Sequence, residues 1–157
     1  MTLFRIKKYR LLFIIISLMI INGCAQTPKG EFILSYQAET DKPYADVLAE
    51  LEIAISEHNF RITGHSRVGK VIRDRGTKDF PDYDTLQFCN LTHAKTLLLM
   101  SPHAVRFMPC NVVVYEYNGK TIVRTHLMPT HSDNPELNAF AEKMNIMLKD
   151  IVDFAVE

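Results

Sequence analysis

Two cysteines in the second half of the chain are the residues whose type and spacing could do chemistry. Cys89 and Cys110 are about 20 residues apart in the sequence. In an oxidising compartment such a pair favours a disulfide, which would stabilise a domain by roughly 3 kcal/mol through loop closure. Strand alternation argues against the bond, because it turns Cys89 outward and Cys110 inward. Three interpretations therefore stay open: a disulfide, two inert buried thiols, or a metal-binding or redox pair.

Two histidines near these cysteines extend the third interpretation. His93 follows Cys89 by four residues, and His103 precedes Cys110. Two thiolates and two imidazoles form a donor set that Zn²⁺ or Cu⁺ accepts. The spacing matches no established metal signature, so the set of Cys89, His93, His103 and Cys110 is kept as an alternative. The leading expectation is a protein without a metal or other cofactor.

A predicted β-hairpin provides a second candidate site. Asn118-Gly119 separates the stretches 111–117 and 120–127, and a two-residue type I′ turn would fix their register. The turn pairs Tyr117 with Lys120, Tyr115 with Ile122, and Val113 with Arg124. One face of the hairpin is apolar enough to meet helices. The other face carries aromatic and charged groups, as a binding surface does, although a merely solvated sheet face has the same pattern. The candidate binding residues are Tyr115, Tyr117, Arg124 and His126.

The N-terminus predicts export and a lipid anchor. Four basic residues precede an apolar run, 11–21, which as a helix covers about 16 Å of a hydrocarbon core that is ~30 Å thick. A cleaved signal peptide of residues 1–23 fits this length better than a membrane span does. Gly23-Cys24 resembles the lipobox of bacterial lipoproteins, which implies a diacylglyceryl group on the thiol of Cys24. Ala25 resembles the rule for outer-membrane export in Gram-negative cells, with the domain facing the periplasm.

Charge and length limit the classes of function. The chain has 18 basic and 18 acidic residues, and residues 1–23 contain four of the basic and none of the acidic ones. The mature chain therefore has 14 basic against 18 acidic residues, a net charge near −4. This charge argues against nucleic acid as a partner. After a short tether of residues 24–30, residues 31–157 suit one domain with a single core.

The hydrophobic pattern predicts an α+β domain. Strands are expected over 31–37, 60–65, 85–90, 111–117 and 120–127. Helices are expected from Pro43 to about His58, over 92–100, and from Asn134 to about Ala155. The stretch 66–84 is predicted as a long connection or a short helix with a loop, in which Asp79, Asp82 and Asp84 make turns. An antiparallel sheet of about five strands, with the two long helices on one face, satisfies this pattern.

Several short motifs together resemble a known family. They are Leu86-Gln87-Phe88-Cys89-Asn90, Met108-Pro109-Cys110, and the hairpin around Asn118-Gly119-Lys120. They look like the core of the domain of unknown function 302 family, and the resemblance extends over roughly residues 32–155. It implies a TATA-binding-protein-like fold with the order β-α-β4-α, in which the short helix at Thr92 is an insertion. Leu91 stands where family members often have a proline. The resemblance implies no activity.

No stretch of the sequence matches a catalytic motif. Gly64 to Lys70 has the spacing of a phosphate loop, but Val71 stands where a hydroxyl residue should hold Mg²⁺. We therefore expect a non-catalytic envelope protein that binds a small ligand or another protein through its sheet face or the cleft between sheet and helices. The alternative is a metal-binding or thiol-redox accessory protein that uses Cys89 and Cys110. A self-associating module, such as a homodimer, is a third class.

Overall fold

Five strands form one antiparallel sheet in the computed structural model, which describes residues 34–157. Across the sheet the order is β1-β5-β4-β3-β2. The predicted signal peptide, Cys24 and the whole predicted tether lie outside the described residues, as do residues 31–33. In chain order the strands are β1 Ser35–Thr40, β2 Arg61–Arg67, β3 Tyr83–Cys89, β4 Cys110–Tyr117 and β5 Lys120–His126.

Two long helices pack against each other and against one face of this sheet. They are α1 Tyr44–Glu57 and α4 Pro135–Val156. The shorter helices are α2 Val68–Asp74 and α3 Leu91–Met100, and a 3-10 helix, Pro102–Phe107, follows α3. None of the helices in residues 34–157 is both long enough and apolar enough to cross a membrane. The prediction of an α+β fold with two long helices on one face and a short inserted helix is confirmed.

The core lies between the sheet and the two long helices. Apolar residues recur at helical spacing in α1, where Val47, Leu51, Ala54 and Ile55 are fully buried. The facing stripe of α4 and the inward side chains of the three central strands complete the core. Burying a side chain of this size contributes about 1.5–3 kcal/mol, so these elements hold the strand ends in fixed positions.

The predicted hairpin is confirmed in its turn and in its register. Asn118 and Gly119 have φ values of 53° and 76°, which a type I′ turn requires. Tyr117 pairs with Lys120, Tyr115 with Ile122, and Val113 with Arg124. Because the register is as predicted, the division of hairpin side chains between the two faces follows from it.

Two stretches differ from the prediction. The first strand runs to Thr40 instead of ending at Gln37, because it pairs residue by residue with β5 as far as Thr121. The stretch 66–84 contains α2, and β3 begins within it at Tyr83. Asp84 is therefore a strand residue and not the turn residue that was expected.

Candidate functional site

A cleft lies at the end of the sheet where the β4–β5 turn meets the start of α1. Its volume is about 560 Å³, which is in the range of roughly 300–1,000 Å³ that small-ligand sites occupy. Three tyrosines from three different elements line it: Tyr44, Tyr83 and Tyr117. We call it the tyrosine cleft. The other lining residues are Asp41, Lys42, Pro43, Pro81, Glu116, Asn118, Gly119, Lys120 and Thr121.

Tyr44 stands in the first turn of α1 and reaches back to the sheet. Its hydroxyl donates to the carbonyl oxygen of Val114 in β4 at 3.5 Å. Burial raises the pKa of Tyr44, and the carboxylates of Asp84, Asp82 and Glu116 raise it further. The phenol therefore keeps its proton at neutral pH and acts in the cleft as a neutral hydrogen-bond donor.

The other two tyrosines present their rings at the open edge of the cleft. Tyr83 stacks on Tyr115, its partner across the β3–β4 ladder, with ring centroids 5.4 Å apart and planes 3° from parallel. This pair holds the Tyr83 ring against the sheet. Tyr117, the last residue of β4, is 59% exposed and leaves its ring available to a ligand.

Three of the four charged residues that line the tyrosine cleft have ion-pair partners. Lys42 binds Glu50 at 2.7 Å, and Lys120 binds Asp41 at 2.8 Å. Among the residues that the structure describes, Glu116 is the one charged lining residue without an ion-pair partner. A positively charged group entering the cleft would find this carboxylate unoccupied.

Behind Tyr44 the sheet contains a buried carboxylate. Asp84 is 5% exposed, and its Oδ2 lies 2.7 Å from Nε2 of His65 in the neighbouring strand β2. The guanidinium of Arg67 lies 3.4 Å from the other ring nitrogen of His65. His65 therefore lies between the carboxylate of Asp84 and the guanidinium of Arg67. Nearby, Asp82 pairs with Arg73. Both carboxylates thus have a nitrogen donor as a partner, and neither of them lines the cleft itself.

The four predicted sheet-face residues share one face but not one site. Tyr117 lines the tyrosine cleft, and Tyr115 contacts it through Tyr83. Arg124 donates to the hydroxyl of Ser35 in β1 at 2.9 Å. His126 is exposed at the other end of β5, six residues from Lys120, which is about 20 Å along a strand.

The two cysteines border a second, much smaller cavity at the opposite ends of β3 and β4. Both are free thiols in the structure. The cavity has a volume of about 20 Å³, and Cys89, His93 and Cys110 all line it. Cys89 is the last residue of β3 and is half-buried, as is Cys110, the first residue of β4. Burial raises the pKa of Cys110 to about 11, and the neighbouring Cys89 contributes in the same direction.

The four-residue metal set predicted as the alternative is not assembled. His103 lies exposed in the 3-10 helix and does not line the cavity. In residues 34–157, no group of three or more His, Cys, Asp or Glu side chains is arranged to hold a metal ion.

Sequence patterns miss most of the tyrosine cleft. They place Tyr44 in the apolar stripe of α1 and Glu116 on the core-facing side of β4, so neither is predicted as a site residue. The signal that could have found them is the antiparallel pairing of β1 with β5. It brings Thr40, just before α1, beside Thr121, just after the hairpin turn.

The fold and the cleft define a class of small α+β domains, with a β1-β5-β4-β3-β2 sheet that is covered by helices on one face. The chain belongs to the family described as Domain of unknown function DUF302, whose model matches residues 36–155. It is similar to the crystal structure of an uncharacterized conserved protein DUF302 from Bacillus stearothermophilus, with a TM-score of 0.69 and 21% identity. The similarity covers 78% of this chain and 98% of that one, and it shows the fold. A comparison with curated proteins found no match.

Proposed function

We propose that this protein is a lipid-anchored module of the bacterial cell envelope that binds a small organic cation in the tyrosine cleft, without turnover. The observation that carries the proposal is that three tyrosines line the same cleft as Glu116, a carboxylate with no ion-pair partner among residues 34–157. Aromatic faces attract ammonium groups by about 0.5–2 kcal/mol each, according to how far the site excludes water.

The surroundings of the cleft support a cationic ligand over an anionic one. Both lysines of the lining are engaged by carboxylates, Lys42 by Glu50 and Lys120 by Asp41. Asp84 lies buried behind Tyr44, and its charge is one of the causes of the raised Tyr44 pKa. Because those carboxylates already have partners, Glu116 is the lining charge among residues 34–157 that is left to repel an anion and to attract an ammonium group.

The lipid anchor places this binding site at a membrane surface. The basic N-terminus, the short apolar run and Gly23-Cys24 support cleavage before Cys24 and acylation of its thiol. Ala25 supports transport to the outer membrane. Because the predicted tether of residues 24–30 is short, the domain would sample ligands close to the periplasmic face of the bilayer.

A pair of probes with the same shape tests the choice of ligand class. Choline carries a quaternary ammonium group, and 3,3-dimethylbutan-1-ol is its neutral carbon analogue. We expect the full-length protein in detergent to bind choline at least about fivefold more tightly than the alcohol, a difference of ~1 kcal/mol. The chain contains no tryptophan, so quenching of tyrosine fluorescence, with calorimetry beside it, measures binding.

Three variants locate the site. Tyr117→Ala and Glu116→Gln should each weaken choline binding about fivefold, because they remove an aromatic face and the unpaired carboxylate. Arg124→Ala, on the sheet face outside the cleft, is the control and should bind as the parent does. Equal binding of the two probes, or an effect of Arg124→Ala alone, would contradict the proposal.

A further inference from the structure

The small cavity beside the two thiols is lined by an unusual number of soft donor atoms. Two thiols and one imidazole come from Cys89, Cys110 and His93. Three thioethers come from methionines on three separate segments, Met108, Met128 and Met144. Sulfur from cysteine and methionine is the ligand type that selects monovalent copper over Zn²⁺, Mg²⁺ or Ca²⁺. Half of the twelve lining residues thus carry a donor suited to one metal ion.

Hydrogen bonds fix the backbone at two of these donors, His93 and Met128. The side chain of Asn90 caps α3 by accepting from the backbone N–H groups of Thr92 and His93, at 2.9 and 3.1 Å. Asn145 of α4 makes two hydrogen bonds of 2.8 Å with the backbone N–H and C=O of Met128. Such fixing of the backbone positions the donors before any ion arrives.

Aromatic rings complete the wall around His93. Its imidazole stacks on the ring of Phe60, with ring centroids 6.0 Å apart and planes 27° from parallel. The centroid of the Phe140 ring lies 6.1 Å from that of the imidazole. Met128 and Met144 are 7% and 4% exposed. The other four donors are half-buried, so the cavity is apolar and only partly open to solvent, which limits the access of water and oxidants to a monovalent copper ion.

We propose that this cavity is a binding site for a soft monovalent metal ion, Cu⁺, with Cys89 and Cys110 as thiolate ligands and methionine thioethers as the remaining donors. A volume of about 20 Å³ is suited to a single ion, since a cavity needs roughly 10–15 Å³ to hold one water molecule. Cu⁺ is satisfied by the cysteine and methionine sulfur atoms that line the cavity, and thioether donors favour it over Zn²⁺.

Binding at this site involves no electron transfer. Each cysteine that ligates forms a Cu–S bond, breaks its S–H bond and releases one proton to solvent. The site lies at the ends of β3 and β4 opposite to the tyrosine cleft, so the inference goes beyond the proposed ligand site and does not rest on it. Choline binding and copper uptake can therefore succeed or fail separately.

The test uses the full-length chain in detergent with Cys24→Ser, so that Cys89 and Cys110 are the remaining cysteines. Under anaerobic conditions with a thiol-free reductant, Cu⁺ is supplied and native mass spectrometry counts the bound ions. We expect one copper per chain. Competition against a coloured Cu⁺ chelator should show affinity at least about tenfold lower for Cys89→Ala and for Cys110→Ala.

A matched pair of methionines in α4 tests the thioether donors. Met144→Leu conserves volume but removes a lining thioether, and it should weaken Cu⁺ binding severalfold. Met147→Leu makes the same change on the same helix outside the cavity lining and should leave the affinity unchanged. Circular dichroism and thermal unfolding confirm that each variant is folded.

X-ray absorption of the copper-loaded chain identifies the ligand atoms of the metal, and it tests the proposal even if the cysteine variants do not fold. A first coordination shell dominated by sulfur would support the site. A shell of nitrogen and oxygen alone would overturn it, as would the absence of uptake by the reduced chain. Full uptake by a folded Cys89→Ala, Cys110→Ala double variant, or a Cys89–Cys110 disulfide that resists reduction in the native protein, would overturn it as well.

Discussion

Tyr44 connects the buried side of the sheet to the tyrosine cleft, and its protonation is coupled to folding. An unperturbed tyrosine loses its proton near pH 10.0, whereas burial and the nearby carboxylates raise the pKa of Tyr44 in the folded protein. Above pH 10 the folded state therefore binds more protons than the unfolded state. The free energy of unfolding should fall as the pH rises above about 10, by up to roughly 1.4 kcal/mol per pH unit, and this contribution is fully present below pH 10.

Urea unfolding between pH 8 and pH 11 measures this dependence. Tyr44→Phe removes the titrating phenol, so its free energy of unfolding should decline less steeply above pH 10 than that of the parent. Tyr117→Phe removes an exposed phenol at the other side of the cleft and serves as the control. A Tyr44→Phe variant with the same slope as the parent would show that Tyr44 is not linked to folding in this way.

For single residues, the sequence predicts the structure best where residue type alone decides the local backbone conformation. Asn118-Gly119 predicted the turn, its positive φ values and the pairing of the hairpin, because few residue pairs tolerate a type I′ turn. Asp84 was predicted as a turn residue and lies buried in β3 instead. The half-buried partner that makes this burial tolerable, His65, lies 19 residues earlier in the neighbouring strand, and local patterns do not reveal such pairs.

Among the elements, α2 depends on one close approach of backbone to backbone. A Cβ added at Gly69 would lie against the carbonyl oxygen of Pro81, 2.7 Å from the nitrogen of Tyr83 and 2.9 Å from Cα of Asp82. Replacing glycine by alanine in a helix normally stabilises it by up to about 1 kcal/mol. Here we expect Gly69→Ala to destabilise the protein by about 1–3 kcal/mol, because these backbone atoms must move.

Gly64 offers the matched comparison for this prediction. A Cβ there would approach the end of the Gln87 side chain at 2.6 Å, and that side chain can turn away. Gly64→Ala should therefore change the free energy of unfolding by less than about 1 kcal/mol. Equal effects of the two substitutions in urea unfolding would refute the packing role of Gly69. The presence of glycine at both 64 and 69, the positions with phosphate-loop spacing, would then have no explanation in packing.

The sequence predicts a helix or strand well when that element has a clear hydrophobic pattern of its own. α1 and α4 have long apolar stripes, and their observed ends lie within a few residues of the predicted ends. α2 is seven residues long, buries Gly69 and carries no such stripe, so its helical state is set by packing against the segment before β3. The extension of β1 to Thr40 likewise follows from its pairing with β5, which is a long-range contact.

At the scale of the whole molecule, both candidate sites are built from segments that are distant in the sequence. The tyrosine cleft unites the start of α1, the start of β3 and the hairpin turn, and the thiol cavity unites the ends of β3 and β4 with α3 and α4. The cysteines were recognisable as a pair, but the three methionines around them were not. Methionine carries no motif, and its neighbours are fixed by the fold alone.

The proposed lipid anchor at Cys24 would determine where both sites operate, and it can be tested on the full-length chain in a Gram-negative host. Two or three acyl chains, at about 0.8 kcal/mol per buried CH₂, hold a protein on a bilayer far more firmly than a single chain does. We expect the parent to fractionate with the outer membrane and to carry diacylglyceryl and acyl mass on an N-terminal Cys24. Cys24→Ser should lose that mass and leave the detergent phase, whereas Cys89→Ser should remain there.

Ala25→Asp should move the protein to the inner membrane. An unmodified parent, or one cleaved at another bond, would show an ordinary signal peptide and would place the domain free in the periplasm.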